Sequence, residues 1–239
     1  MLILGIEAAA KVAGAALYEN GRIVAEQMVG GALTHSETLM PMIDSVFKAA
    51  GRKPEDLDYI ALTNGPGSFT GLRIGAATAK GLALGHQIPL VPICTLESLA
   101  FNCGEHDLLC VPIMDARRGQ VYGAVYDRGQ AVIEPQAISP ADLAEKLIRL
   151  DRPCLFMGDA ADLYREHFAA VLQEKYHLAP AHMKDLRAGA VAALAADKLE
   201  KGTAVGIAGS ELTIEYLRKP QAEREREARL AAEAAGSGL

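Results

Sequence analysis

The chain is 239 residues long, half of it hydrophobic and 23% charged, with a formal net charge of -6 and no tryptophan. That length can bury a real core as one domain or as two modest ones, and the composition excludes a disordered or fibrous chain. An acidic protein without a lysine/arginine run lacks the basic face that displaces counterions from a nucleic-acid backbone, which argues against unaided RNA binding.

Three short apolar runs open the chain: Leu2–Glu7, Val12–Tyr18 and Arg22–Val29. Asn20-Gly21, between the second and third, accepts positive φ at both positions and marks a hairpin. A mixed sheet whose first part is antiparallel is therefore expected. The first helix follows, with Leu39, Met42, Ile43, Val46, Phe47 and Ala50 on one face. Thr34 or Ser36 can cap it, Pro41 is tolerable only near its start, and Gly51 stops it.

Leu57–Thr63 reads as a buried strand that runs into the turn-rich loop Asn64 to Gly71. A second helix is expected over Leu72–Leu84, ended by Gly85, before a strand at Ile88–Ile93. This β-loop-α-β unit builds parallel pairing. In the second helix, Gly71, Gly75 and Ala79 form a ridge of small residues four apart, which permits close backbone approach. Little of that helix is polar, so one side is expected on its own sheet and the other on a neighbour, either the first helix or another subunit.

The pattern then begins again. Strands are expected at Leu109–Asp115, Val121–Asp127 and Ala131–Ile138, followed by a helix over Pro140–Leu150 capped by Ser139. A strand at Cys154–Met157 and helices over Ala160–Leu172 and Leu186–Lys201 complete it. Two similar α/β domains in tandem are implied, residues 1–103 and 104–218, with the boundary near Asn102–Asp107. Residues 219–239, rich in Glu, Arg and Ala, read as a solvated helix or a disordered tail.

Four cysteines, Cys94, Cys103, Cys110 and Cys154, are spread among apolar neighbours with no C-x-x-C spacing, as expected of buried reduced thiols. Glu7 interrupts the apolar start and no basic region precedes it, so a signal peptide is not expected. No apolar stretch reaches the roughly twenty residues a bilayer crossing needs, so a cytoplasmic protein without membrane contact is expected.

Candidate chemistry is sparse. G-P-G-S-F-T-G places amides and hydroxyls at a helix start where an anion can sit, but on chemistry alone a tight strand-to-helix connection whose glycines permit close packing is the better reading. It is neither a Walker A motif nor G-x-G-x-x-G. His35 and Glu37 lack a partner at helical metal spacing, since position 39 is leucine. Asp115 with Arg117 and Arg118 fits either an anion contact or a salt-bridged turn.

Four segments carry a family resemblance. G-P-G-S-F-T-G-L-R-I-G at Gly65–Gly75, preceded by L-T-N, resembles the signature of the TsaB (YeaZ) family. H-S-E-T-L-M-P-M-I-D at His35–Asp44 resembles its first-helix segment, Asp115-Ala116-Arg117 with Val121-Tyr122 its "DAR-x-G-x-VY" stretch, and Tyr216-Leu217-Arg218 its C-terminal "YLR". The resemblance implies an actin-like ATPase fold (ASKHA, ribonuclease H-like), an α/β architecture of two tandem related domains with mixed sheets.

It also implies a non-catalytic scaffold subunit in synthesis of N6-threonylcarbamoyladenosine on tRNA, paired with the catalytic paralogue TsaD of the peptidase M22 (glycoprotease-like) group. TsaD carries H-x-x-x-H at the corresponding helix start, and here Leu39 stands at the second histidine. Relatives commonly show Asp-Thr-Ser where this chain has Glu7-Ala8-Ala9, which removes phosphate-binding hydroxyls. No catalytic residue, metal or resident cofactor is implied. The implied interface is a helical bundle using Leu39, Met42, Ile43, Val46, Phe47, Gly71, Gly75 and Ala79, with a homodimer when TsaD is missing. ATP or ADP is implied only at the TsaB–TsaD junction when TsaE joins, with Ser68, Thr70 or Arg73 as possible contacts. The alternatives are an M22-type metalloenzyme, an independent ATPase, or a purely structural homodimer.

Overall fold

The computed structural model describes residues 1–31, 34–104 and 107–218; the charged segment expected at 219–239 lies outside them. β1 (Leu2–Glu7), β2 (Val12–Glu19) and β3 (Arg22–Gly30) form an antiparallel meander. Asn20 and Gly21 turn it at φ values of 46° and 88°, the positive pair that an Asn-Gly hairpin requires. α1 (His35–Ala50) crosses to β4 (Tyr59–Gly65), which pairs parallel with β1, and α2 (Phe69–His86) leads to β5 (Leu90–Cys94), parallel with β4.

A short α3 (Thr95–Phe101) precedes the second sheet. That sheet contains β6 (Leu109–Asp115), β7 (Val121–Asp127), β8 (Gln130–Ile138), β9 (Cys154–Met157) and β10 (Tyr176–Leu178). α4 (Pro140–Leu150), α5 (Asp159–Leu163) and α6 (Arg165–Leu172) connect it, and α7 (Ala181–Lys184) and α8 (Ala188–Glu200) follow. The strand orders are β3-β2-β1-β4-β5 and β10-β9-β6-β7-β8. Read from β8, the second sheet repeats the first strand for strand, with the same alternation of antiparallel and parallel pairs. The molecule is a duplicated α/β unit.

Several boundaries differ from the sequence expectation for local reasons. α1 starts after Thr34, whose N–H is accepted by Glu37 at 3.0 Å, and Gly51 ends it in the left-handed conformation. It continues through Pro41, whose ring is exposed to solvent. α2 runs past Gly85 because Gln87 takes the left-handed cap position at φ 54°. The expected helix over Ala160–Leu172 breaks at Tyr164, whose ψ of 18° leaves the helical range. α3 and β10 are too short to show a period.

The core also corrects the domain division. α1 and α2 cover one face of the first sheet, packing Leu4 and Ile6 against Leu39, Ile43, Val46, Phe47 and Ala79. α8 covers the other face, against Ile3, Ala61, Val91 and Ile93. Residues 104–218 are therefore not one spatial unit, since α8 and the segment after it return to the first sheet. β1 explains why: all six of its residues are buried, so both faces of that sheet need a layer. The small side chains of α8 allow an approach so close that a Cβ on Gly5 would overlap the Ala188 carbonyl. Cys110 and Cys154 are buried, Cys94 and Cys103 half-buried, and all four are unbridged. Among the described residues, no helix is long and apolar enough to cross a membrane.

A candidate site in the interdomain cleft

Because the fold is duplicated, each sheet ends its first strand at an equivalent turn: Ala8–Lys11 after β1 and Ala116–Gln120 after β6. Both turns line one cleft of about 400 Å³, together with the start of α2 and the end of the described chain. Three of the four sequence signatures line it, and the fourth reaches it through His35, which bonds the Ala10 carbonyl.

The first turn is held from two sides. The Ser68 N–H donates to the Ala9 carbonyl at 2.7 Å, and the Ser68 hydroxyl caps α2 by accepting from Gly71 N at 3.2 Å. His35 Nε2 lies 2.7 Å from the Ala10 carbonyl and, as the donor, ties the start of α1 to the same turn. Gly71 is required by close approach, since a Cβ there would overlap the Ala8 carbonyl oxygen. The glycines thus serve the tight strand-to-helix connection.

The segment after α8 is a strap across the first sheet and the cleft. Ile207 exchanges two backbone hydrogen bonds of 2.8 Å with Leu90, Lys80 donates to the Leu212 carbonyl at 3.2 Å, and Glu215 N donates to Asn64 O at 2.8 Å. Gly65, at φ 135°, lets the strap pass, because its missing side chain is where the Glu215 carbonyl lies. Tyr216 then packs on Phe69 with ring centroids 5.2 Å apart, while the Arg73 guanidinium sits 3.6 Å from the Phe69 centroid. Arg73 Nε also donates to the Tyr216 hydroxyl at 3.1 Å.

Arg218 closes the strap onto the second domain, donating to the carbonyls of Ala116 at 2.6 Å and Arg117 at 3.2 Å. It thereby fixes a turn in which Arg117, Arg118 and Gly119 all have positive φ, 64°, 55° and 72°, a conformation that non-glycine residues keep only when their surroundings impose it. Asp115 supports the turn by accepting from Arg117 N at 2.8 Å, and its own N–H donates to Asp159 at 3.0 Å. Arg218→Ala is expected to cost about 2 kcal/mol, the worth of charge-assisted hydrogen bonds to two carbonyls; a thermal melt at the wild-type temperature would show the clamp idle.

Glu7 ends β1 immediately before the Ala8–Lys11 turn but does not line the cleft. It is fully buried and accepts from Ala9 N at 2.6 Å through Oε1. Burial pushes its carboxyl up to about 7, against the pull of the Ala9 amide, the Thr63 hydroxyl and the Ala8 amide.

The expected site residues are redistributed. Ser68 and Thr70 line the cleft, but Arg73 does not: its guanidinium is spent on Phe69 and Tyr216. Leu39, Met42, Ile43, Val46, Phe47 and Ala79 are at most 5% exposed, and Gly71 and Gly75 are buried too. These eight positions point into the chain's own core rather than toward a partner, because an amphipathic pattern marks a buried face without saying what buries it.

The open side of α1 and α2 carries other residues: Met40 at 47% exposure, Leu84 at 83%, and the exposed small residues Ala77, Gly81 and Gly85. The nearly all-round apolar character of α2 was the sequence signal for this second face. Lys11, Tyr216 and Arg218 were not legible as cleft residues, since each lies far in sequence from the loop it meets.

The family described as TsaD, tRNA N6-adenosine threonylcarbamoyltransferase, matches residues 28–226. The chain is 35% identical over 227 residues to the tRNA threonylcarbamoyladenosine biosynthesis protein TsaB of Bacillus subtilis (strain 168), covering 93% of this chain and 96% of that protein. It is 31% identical over 150 residues to the Escherichia coli (strain K12) protein of the same name, covering 58% and 64%.

Among solved structures, a Pseudomonas aeruginosa protein with similarity to peptidase YEAZ superposes with a TM-score of 0.76 at 23% identity, over 91% of this chain and 99% of that one. EutJ of Carboxydothermus hydrogenoformans follows at 0.51 and 14%, over 80% and 90%. These likenesses show the fold, an actin-like ATPase fold in two mixed-sheet halves.

Proposed function

The chain belongs to the TsaB family of tRNA threonylcarbamoyladenosine biosynthesis proteins, and on that premise we propose that it is the non-catalytic scaffold subunit that pairs with a TsaD-type threonylcarbamoyltransferase. Its role is in making threonylcarbamoyladenosine on tRNA. The observation that carries the scaffold reading is the open face of α1 and α2. Both helices lie on one side of the first sheet and touch each other, so their outward residues form one surface. Leu84, 83% exposed, stands on it beside the small Ala77 and Gly81, where a second pair of helices can approach closely.

The site chemistry supports a non-catalytic role. His35 is committed to the Ala10 carbonyl, and Leu39, one helical turn on, faces the core. Glu7 is sealed from the cleft. On this reading the chain alone holds no cofactor, and ATP or ADP binds at the junction with TsaD once TsaE joins. The same open face serves a homodimer when TsaD is missing.

Co-purification with the TsaD-type protein of the same organism tests this reading with Leu84→Arg and Gly81→Arg. A Cβ at Gly81 meets nothing within 4 Å, so both variants are expected to melt like wild type or slightly higher. Each is expected to weaken the heterodimer by about 100-fold, since a buried arginine without a partner costs about 3 kcal/mol. Normal heterodimers from both folded variants would place the interface elsewhere.

A further inference from the structure

The cleft combines an apolar floor with a rim that carries Lys11, Arg117 and Arg118, and the two carboxylates that also line it, Asp115 and Asp159, each accept a backbone N–H. Ala9, Met114 and Ala116 line it and are at most 5% exposed. Lys11, Arg117 and Arg118 line it too, but their side chains are exposed to solvent. Among the described residues, no carboxylate forms an ion pair with Lys11 or Arg118, while Arg117 lies 3.8 Å from Asp115. A small anion sunk to the floor would meet alanine and methionine there and no buried cation. A chain of phosphates lying across the mouth would meet the whole rim.

Phe69 and Tyr216 stand at one wall, their rings packed together at a tilt of 36°, and Tyr122 lines the cleft as well. Aromatic walls beside a basic rim are how unpaired nucleotides are held, with the bases stacking and the phosphates on the cations. The rim stands out because the chain as a whole carries a net charge of -6, so a polyanion is repelled elsewhere and drawn to this mouth.

We propose that the interdomain cleft is an RNA contact of the assembled complex, in which an unpaired nucleotide enters between the aromatic wall and the apolar floor while Lys11, Arg117 and Arg118 hold the flanking phosphates. The proposal rests on the function proposed above, which supplies an RNA substrate and a partner. The chain alone, acidic overall, holds RNA too weakly to act by itself; the cleft adds its share once the partner has docked the RNA.

The test is the affinity of tRNA for the reconstituted heterodimer across a range of salt, with wild type, Lys11→Glu/Arg118→Glu and Arg118→Lys. Size-exclusion chromatography first confirms that each heterodimer forms. Wild type failing to assemble would overturn the proposed function and not the cleft. With assembly intact, the double variant is expected to bind tRNA about tenfold or more weakly, and its log–log salt slope to flatten by about 1.4, roughly 0.7 per lost contact. Arg118→Lys, which keeps the charge, is expected to bind as wild type does. Unchanged affinity and slope in the double variant overturn the proposal. So does saturable ATP binding by the chain that the double variant abolishes while tRNA affinity stays the same, which would make the cleft a mononucleotide site.

Discussion

Replacing Gly71 by alanine is expected to destabilise the protein by on the order of 3 kcal/mol, the upper range for forcing an atom into packed structure. The added methyl would overlap the Ala8 carbonyl oxygen, which is backbone and cannot rotate away. Relief requires α2 to withdraw from the turn after β1, where Ser68 N–H also bonds Ala9. The same substitution two to three turns along the helix has the opposite sign. A Cβ at Gly81 meets nothing within 4 Å, so Gly81→Ala is expected to stabilise by about 0.8 kcal/mol through helix propensity alone.

Gly75 lies between these cases, with 3.3 Å from its Cβ position to that of Ala8, a fit that costs little for alanine and much for leucine. Urea denaturation of the three alanine variants gives the order directly, provided the m-value is unchanged. Gly71→Ala unfolding at the wild-type midpoint would mean that α2 and the Ala8–Lys11 turn are not in contact as described. The comparison also bears on function, because Gly71 is buried against the turn after β1 and holds the cleft together, while Gly81 is exposed.

Glu7→Gln is expected to change the pH dependence of stability by about 3 kcal/mol, the free-energy equivalent of moving a carboxyl from 4.5 to about 7. Because the folded protein favours the protonated form, Glu7 gives its full support below pH 4.5. That support falls as pH rises through the folded value of about 7 and is constant above it. Other carboxylates run the opposite way. Asp127 beside Arg152, and Asp151 beside Lys175, are held below the usual range by their hydrogen-bonded cations and gain stability as pH rises. Only the difference between wild type and variant isolates Glu7. Glutamine keeps an acceptor for the Ala9 N–H and never ionises, so its stability relative to wild type is expected to climb between pH 4.5 and 7 and then level off. A gap that does not vary with pH would show that Glu7 reaches solvent in the folded protein.

Much of the fold was legible because the relevant forces are local or periodic. Asn20-Gly21 determines a hairpin by its φ preferences. The i, i+3, i+4 spacing from Leu39 to Phe47 determines which face of α1 is buried. The run at Leu2–Glu7, apolar but for its last residue, determines a central strand. The boundaries that moved depended on single residues in unfavoured conformations, Gln87 at the end of α2 and Tyr164 between α5 and α6. Propensity assigns those positions to no particular state, and packing decides them.

The site was legible as four separate motifs and not as one place. From the sequence, the loop Gly65–Gly75 announces close packing but not against what. The structure assigns Gly65 to the strap at Glu215 and Gly71 to the turn at Ala8. Tyr216 reads as one aromatic in a polar stretch until Phe69 and Arg73 are found under it. The same gap misplaced the partner surface. Leu39 and Phe47 are apolar, periodic and correctly buried, and hydrophobicity is non-directional, so the pattern fits burial by a sheet as well as burial by a partner.

By itself, then, the sequence determined most of the longer elements, the doubled α/β order and the family, since turn chemistry, periodicity and motif order need no knowledge of what lies across the chain. Only the tertiary structure decided that α8 and the strap return to the first sheet, that three of the motifs line one cleft, and that the free faces of α1 and α2 are those of Met40 and Leu84. Those outcomes rest on contacts between residues as far apart as Arg73 and Tyr216, or Arg218 and Ala116. Such contacts form only once two sheets have closed around them, and a local reading of the chain has no means of pairing their ends.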